Sequence, residues 1–190
     1  MKKTLKLVSL LAITASVVFS SCSKDKEEVK PLVPAFKDYS MVLAGAQNAS
    51  TGSYYASGDN SVKFSRDSAS FGALVDLSFA QTGTTAPGIP KFISLNARSA
   101  EGLTKVAKNT TNTFFKLSSI TAAQFDTLTY SAGAVSGISL TSGNVIEVAK
   151  DKVYEFHNTT SGAKGLIRIS DLVAGTNFDG VLSFKVKVLK

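Results

Sequence analysis

Tryptophan is missing from this chain, and 190 residues contain one cysteine, one histidine and four prolines. Each scarcity closes off a class of structure or chemistry. The single cysteine, Cys22, can form no internal disulfide, so the fold must rest on burial and hydrogen bonding. One histidine and one cysteine cannot assemble a Cys/His zinc centre. A Ser-His-Asp arrangement would have to recruit His157, and no Gly-x-Ser-x-Gly elbow is present. Long apolar runs are also lacking. Leu7 to Phe19 is the longest, and Ser9, Thr14 and Ser16 interrupt it. It is shorter than the roughly 20 residues of a spanning helix. There is no Arg/Lys stripe with interleaved aromatics, which excludes nucleic acid as a partner.

What the amino terminus does contain is an export signal. Lys2, Lys3 and Lys6 precede the short apolar core, and the small residues Ser20 and Ser21 lead into Cys22. This pattern reads as a secretory signal peptide over residues 1–21. "FSSC" resembles the bacterial lipobox, with Phe19 where that pattern prefers leucine, and is similar to the loose boxes of Bacteroidota lipoproteins. The resemblance implies lipidation of Cys22 and retention on a membrane, because several acyl chains anchor stably where one does not. The charged run Ser23-Lys24-Asp25-Lys26-Glu27-Glu28 resembles the acidic signal that sends such lipoproteins to the exterior face of the outer membrane, although Lys26 splits it. A solvated tether needs charge in any case.

Loss of residues 1–21 removes three lysines and takes the net charge from +7 to +4. Residues 22–37 form a charged, Pro-containing tether. Residues 38–190 are one domain's worth of chain. Their pattern predicts an all-β fold, a single two-sheet β-sandwich of about eight or nine mostly antiparallel strands with one short helical turn. The clearest strand is "GVLSFKVKVLK". There Leu182, Phe184, Val186 and Val188 alternate with Ser183, Lys185 and Lys187, and the lysines are expected on a wet face.

Further strands are expected at 39–46, 52–58, 61–65, 72–80, 112–119, 144–149, 152–157 and 165–172. Gly58-Asp59-Asn60 and Lys150-Asp151 read as tight hairpin turns. Residues 80–92 read as a long Gly-, Thr- and Pro-rich loop, either an irregular crossover between the sheets or a functional or mobile segment. Thr121 and Gln124 match a capping box at the start of the helical turn, and 66–72 could hold a second turn. The order of motifs, with Gly45-Ala46-Gln47, the embedded Asp76 and "GAKGLI" (162–167) before the last strand, is similar to uncharacterised β-rich domains of Bacteroidota surface lipoproteins. Those motifs suit turns and backbone contacts, and the resemblance implies no activity.

The candidate sites are few. Tyr54, Tyr55, Tyr130 and Tyr154 are a candidate ligand face for stacking on a sugar ring, with Asn60 or Gln81 as hydrogen-bonding neighbours. Strand alternation lets only one of Tyr54 and Tyr55 enter the core. Asp76, flanked by apolar residues, reads as a structural carboxylate bonded to backbone amides. Glu155 and His157 can share one face of a strand, as a surface pair or a dyad. Asp59 and Asn60 could contribute to a calcium loop, but the ligand spacing of one is missing. Asp67-Ser68-Ala69 and Asp126-Thr127-Leu128 resemble the O-glycosylation sequon of exported Bacteroidota proteins, which makes Ser68 and Thr127 candidate acceptors. No metal or cofactor is expected.

The function expected is that of a lipid-anchored surface lipoprotein acting as a non-catalytic binding or accessory module. It would serve glycan binding or a nutrient-uptake complex. The alternative is a structural or assembly protein that meets another protein through a strand edge or apolar patch. A hydrolase, using paired carboxylates or His157 beside a serine, is the third reading.

Overall fold

Period-two alternation in the last strand sets the architecture. Leu182, Phe184, Val186 and Val188 all enter one buried cluster, because alternate residues of a strand share a face. The computed structural model describes residues 37–45, 51–63, 74–103, 111–129, 132–176 and 178–189. All of them fall in one compact unit, Val33–Lys190.

In chain order the elements are β1 (Lys37–Ala44), β2 (Tyr54–Ala56), β3 (Ser61–Lys63), β4 (Leu77–Thr82), β5 (Ile89–Ile93), a 3₁₀ turn (Leu95–Ala97) and β6 (Thr113–Leu117). There follow α1 (Ala122–Thr127), α2 (Ala132–Ser136), β7 (Val145–Glu147), β8 (Val153–Asn158), β9 (Lys164–Val173) and β10 (Val181–Leu189). They form two five-stranded sheets, β1-β10-β9-β8-β6 and β3-β2-β4-β5-β7. Every pairing is antiparallel. The expected two-sheet β-sandwich is therefore the fold, with ten strands among the described residues.

Aromatic rings lock the layers together. Phe92 of one sheet lies edge-on to Tyr154 at 6.0 Å and to Phe184 at 6.4 Å, both on the other sheet. Tyr55 meets Phe184 at 5.4 Å with an interplanar angle of 88°. Edge-to-face pairs of this kind add about 0.5–1.5 kcal/mol each to the gain from area alone.

A third, partial layer covers the outer face of the β1–β6 sheet. Phe125, Val135 and Ile138 from the helical segment pack on Val153 and Leu166. The capping box forms as expected. Gln124 N donates to Thr121 Oγ1 at 3.3 Å, and Thr121 N donates to Gln124 Oε1 at 2.8 Å. This layer alters the expected wet face of β10. Lys185 stays exposed, but Lys187 is buried beneath α1, 5.2 Å from the Phe125 ring centroid and bonded to Asp38 at 2.9 Å.

Two turn assignments change. Lys150-Asp151 does form a tight turn, with Lys152 N on Ala149 O. It joins β7 of one sheet to β8 of the other, so it is a crossover and not a hairpin. Residues 83–88, expected within a crossover, instead connect β4 to β5 in one hairpin. Gln81 explains that reversal. Its amide donates to Gly88 O at 3.2 Å and so closes the loop on itself. The Gly58-Asp59-Asn60 turn does form a hairpin, with Asn60 in the left-handed region at φ 53°. The suggested turn at 66–72 lies outside the described residues.

Candidate functional site

The strand expected to begin at residue 72 starts only at Leu77, because Asp76 turns inward to bind both sheets. Its Oδ2 accepts from the Ser57 backbone N–H at 2.6 Å, in the turn after β2. Its Oδ1 accepts from Asn158 Nδ2 at 2.9 Å and from Ser161 Oγ at 3.1 Å, at the turn between β8 and β9. The Asp76 carbonyl accepts from Thr113 Oγ1 at 2.5 Å, and the Val75 carbonyl from Thr111 Oγ1 at 2.5 Å. Asn158 turns its own Oδ1 back on the N–H groups of Thr160 and Ser161, at 2.9 and 3.1 Å. Asp76 is 2% exposed. A carboxylate so buried must find donors, and here all are neutral. The expectation of a structural aspartate holds for Ser57 N, although side chains supply the other two bonds.

Beside this carboxylate lies a cleft of about 260 Å³. Ser57 and Gly58 of the turn after β2, Leu74 and Asp76 before β4, and Ser161 to Ala163 of the β8–β9 turn line it. Ser57 is 2% exposed, yet its Oγ has no hydrogen-bond partner. Buried hydroxyls are normally paired. Leu74, by contrast, is 60% exposed. The cleft thus combines a buried carboxylate, an unspent hydroxyl and small or apolar walls.

The tyrosine face is corrected. Tyr54 and Tyr55 are both 0% exposed, and Tyr154 is buried too. Alternation still operates, because Tyr55 enters the core between the sheets while Tyr54 points the other way, into a second buried cluster with Val75 and Leu95. That second face is covered, so neither ring can stack on a ligand. Arg98 lies 4.7 Å over the Tyr54 ring. Burial raises the Tyr54 phenol above its ordinary range, and Arg98 offsets part of the rise. Burial likewise raises Tyr55, reinforced by the charge of Asp76, and raises Tyr154, whose oxygen accepts from Ala149 N at 3.0 Å.

Gln81 is also taken up by the fold. It is buried, and its Oε1 accepts from Gly180 N at 2.6 Å and Gly175 N at 3.2 Å. Asn60 Oδ1 accepts from Tyr55 OH at 3.4 Å, and Asp59 Oδ1 from Ser61 Oγ at 2.5 Å. Glu155 and His157 are partly buried on the outer face of β8, as their spacing implies, but they bond apart. Glu155 Oε1 accepts from Ser118 Oγ at 3.2 Å, whereas His157 Nδ1 is 3.1 Å from Leu140 O. Thr127 is exposed at the end of α1, and its hydroxyl donates to Gln124 O at 3.1 Å. Cys22, Ser68 and Tyr130 lie outside the described residues. Among the described residues, no group of three or more His, Cys, Asp or Glu side chains could hold a metal ion. No described helix is long and apolar enough to cross a membrane.

Sequence reasoning singled out Asp76 through its apolar flanks but missed Ser57 and Ser161. Both are serines in turns, where a hydroxyl is the commonest of residues. Only the meeting of the two turns distinguishes them. No family model, curated protein or solved structure matches this chain.

Proposed function

We propose that the chain is an exported lipoprotein, anchored through Cys22 on the exterior face of the outer membrane, whose β-sandwich is a non-catalytic binding module. Its ligand is a glycan or a component of a nutrient-uptake complex. The contact site is the cleft beside Asp76 and not a tyrosine face. One observation carries this reading: Ser57 lines a cleft, and its hydroxyl is buried and unbonded. A group that costs about 1–3 kcal/mol to leave unsatisfied is readily explained by a ligand that satisfies it.

The test is migration of the protein through gels containing a panel of polysaccharides, alongside a glycan array. Retardation lost on Ser57→Ala supports the reading, and retardation unaffected by that change moves the site elsewhere.

A second reading, assembly with another surface protein, draws on β1. Among the described strands, this eight-residue strand is an edge of its sheet, and Val42 on it is 43% exposed. Edge strands offer unpaired backbone groups to another chain. Capture of a partner from intact cells by the native chain, lost on Val42→Lys without retardation on any glycan, would favour it.

A further inference from the structure

We infer that the cleft beside Asp76 takes a small ligand headed by a primary ammonium group, an inference that rests on the binding-module reading. The argument is one of charge and donor count. An ionised carboxylate offers about four acceptor positions. Asp76 spends three of them, on Ser57 N, Asn158 Nδ2 and Ser161 Oγ. Every one of those donors is neutral, and none of the ion pairs among the described residues includes Asp76. Among the described residues, the negative charge is therefore hydrogen-bonded but not paired with a cation.

What remains is one acceptor position on the carboxylate and the unbonded Ser57 Oγ, on two residues that line the same cleft. An ammonium brings a positive charge on a compact head with three donors. It can donate to both oxygens at once. A calcium ion needs six to eight oxygen ligands, more than this cleft has free. An anion is repelled. A neutral polyol can use the two oxygens but leaves the charge uncompensated. Leu74, 60% exposed, supplies apolar surface for the carbon skeleton behind the ammonium.

The source of the ammonium can be a soluble amine, such as an amino sugar, or an ethanolamine headgroup. The two are separated by their carriers. The test is calorimetric titration of the full chain in detergent with glucosamine, glucose, ethanolamine and calcium chloride, in low and high salt.

The expected result is binding of glucosamine and ethanolamine but not of glucose, weakening as salt screens the charge. Ser57→Ala should weaken it by about fivefold or more, the factor that corresponds to one hydrogen bond of about 1 kcal/mol. Leu74→Arg, at an exposed position where folding is not at stake, should abolish it by placing a fixed cation at the mouth. Ethanolamine binding that improves on vesicles containing ethanolamine lipids, with none to glucosamine, identifies the headgroup as the source. Glucose binding as tight as glucosamine, or heat from calcium alone, overturns the ammonium assignment but keeps a binding module at this cleft. Amine binding untouched by both substitutions overturns the cleft as its site. Silence from all four probes overturns the ammonium. The binding-module reading falls with it only if the glycan panel is silent as well.

Discussion

At the scale of single residues, Asp76 joins segments far apart in the chain, with partners at positions 57, 158 and 161. Removing it leaves the buried Ser57 N–H without its acceptor and Asn158 Nδ2 with only the Val75 carbonyl, 3.4 Å away, and each such loss is worth about 1–3 kcal/mol. Asp76→Ala is therefore expected to lower the unfolding free energy by about 2 kcal/mol or more in urea titrations. Ser57→Ala should be nearly neutral, because its hydroxyl has no bond to lose. Equal costs for the two would show that the stitch is redundant.

The buried tyrosines set the alkaline behaviour. Tyr54, Tyr55 and Tyr154 have their phenols raised in the folded protein, chiefly by burial. In the unfolded chain they ionise near the ordinary value of 10.0. The folded state then holds more protons than the unfolded state above that pH, so stability is complete below it and falls as pH rises past it. Ultraviolet difference titration should show these three phenols ionising together with loss of circular dichroism. Ionisation of all three with the fold intact would contradict their burial.

Elements were legible in the sequence where one face meets core and the other meets water. The β10 alternation, the β2–β3 hairpin and the capping box of α1 could all be read from short stretches, since each depends on neighbours within a few residues. The Lys150-Asp151 turn could not be assigned a partner sheet, because the local geometry of a tight turn is the same in a hairpin and a crossover. The hairpin at 83–88 was hidden for a similar reason. Its closure depends on a side chain, Gln81, that also reaches Gly175 and Gly180 across the fold. The tyrosine face failed because alternation says which residues share a side but not whether that side is covered.

The "GLI" motif of β9 gains a physical meaning at this scale. A Cβ at Gly165 would collide with the Lys187 carbonyl of β10 and crowd the Phe156 ring. Gly162, three residues earlier, sits at φ +77° with open space around it. Alanine there costs the backbone penalty of about 1–2 kcal/mol. Gly165→Ala is expected to cost more, about 1–3 kcal/mol of overpacking with displacement of β9 from β10. Amide hydrogen exchange should speed up along β9 and β10 in Gly165→Ala and stay native there in Gly162→Ala. The opposite ranking would mean that the close approach is relieved easily.

At the scale of the whole molecule, strand register places the cleft at the end of the sandwich where β1 begins. Lys37 pairs with Val188, Val188 with Gly165, and Gly165 with Phe156. The point where the chain enters β1 is thus at the same end of its sheet as the β8–β9 turn, and the cleft opens at that end.

Two consequences can be measured together in cells. Cys22→Ser should move the protein from the membrane fraction to the soluble fraction, since the lipid chains supply the attachment. Protease added to intact cells should degrade the native protein if the domain faces outward and spare it if the domain faces the periplasm. Membrane retention in Cys22→Ser would reject the lipid anchor. Retention of the anchor with full protease protection would reject surface display alone, leaving the cleft to meet a ligand inside the envelope.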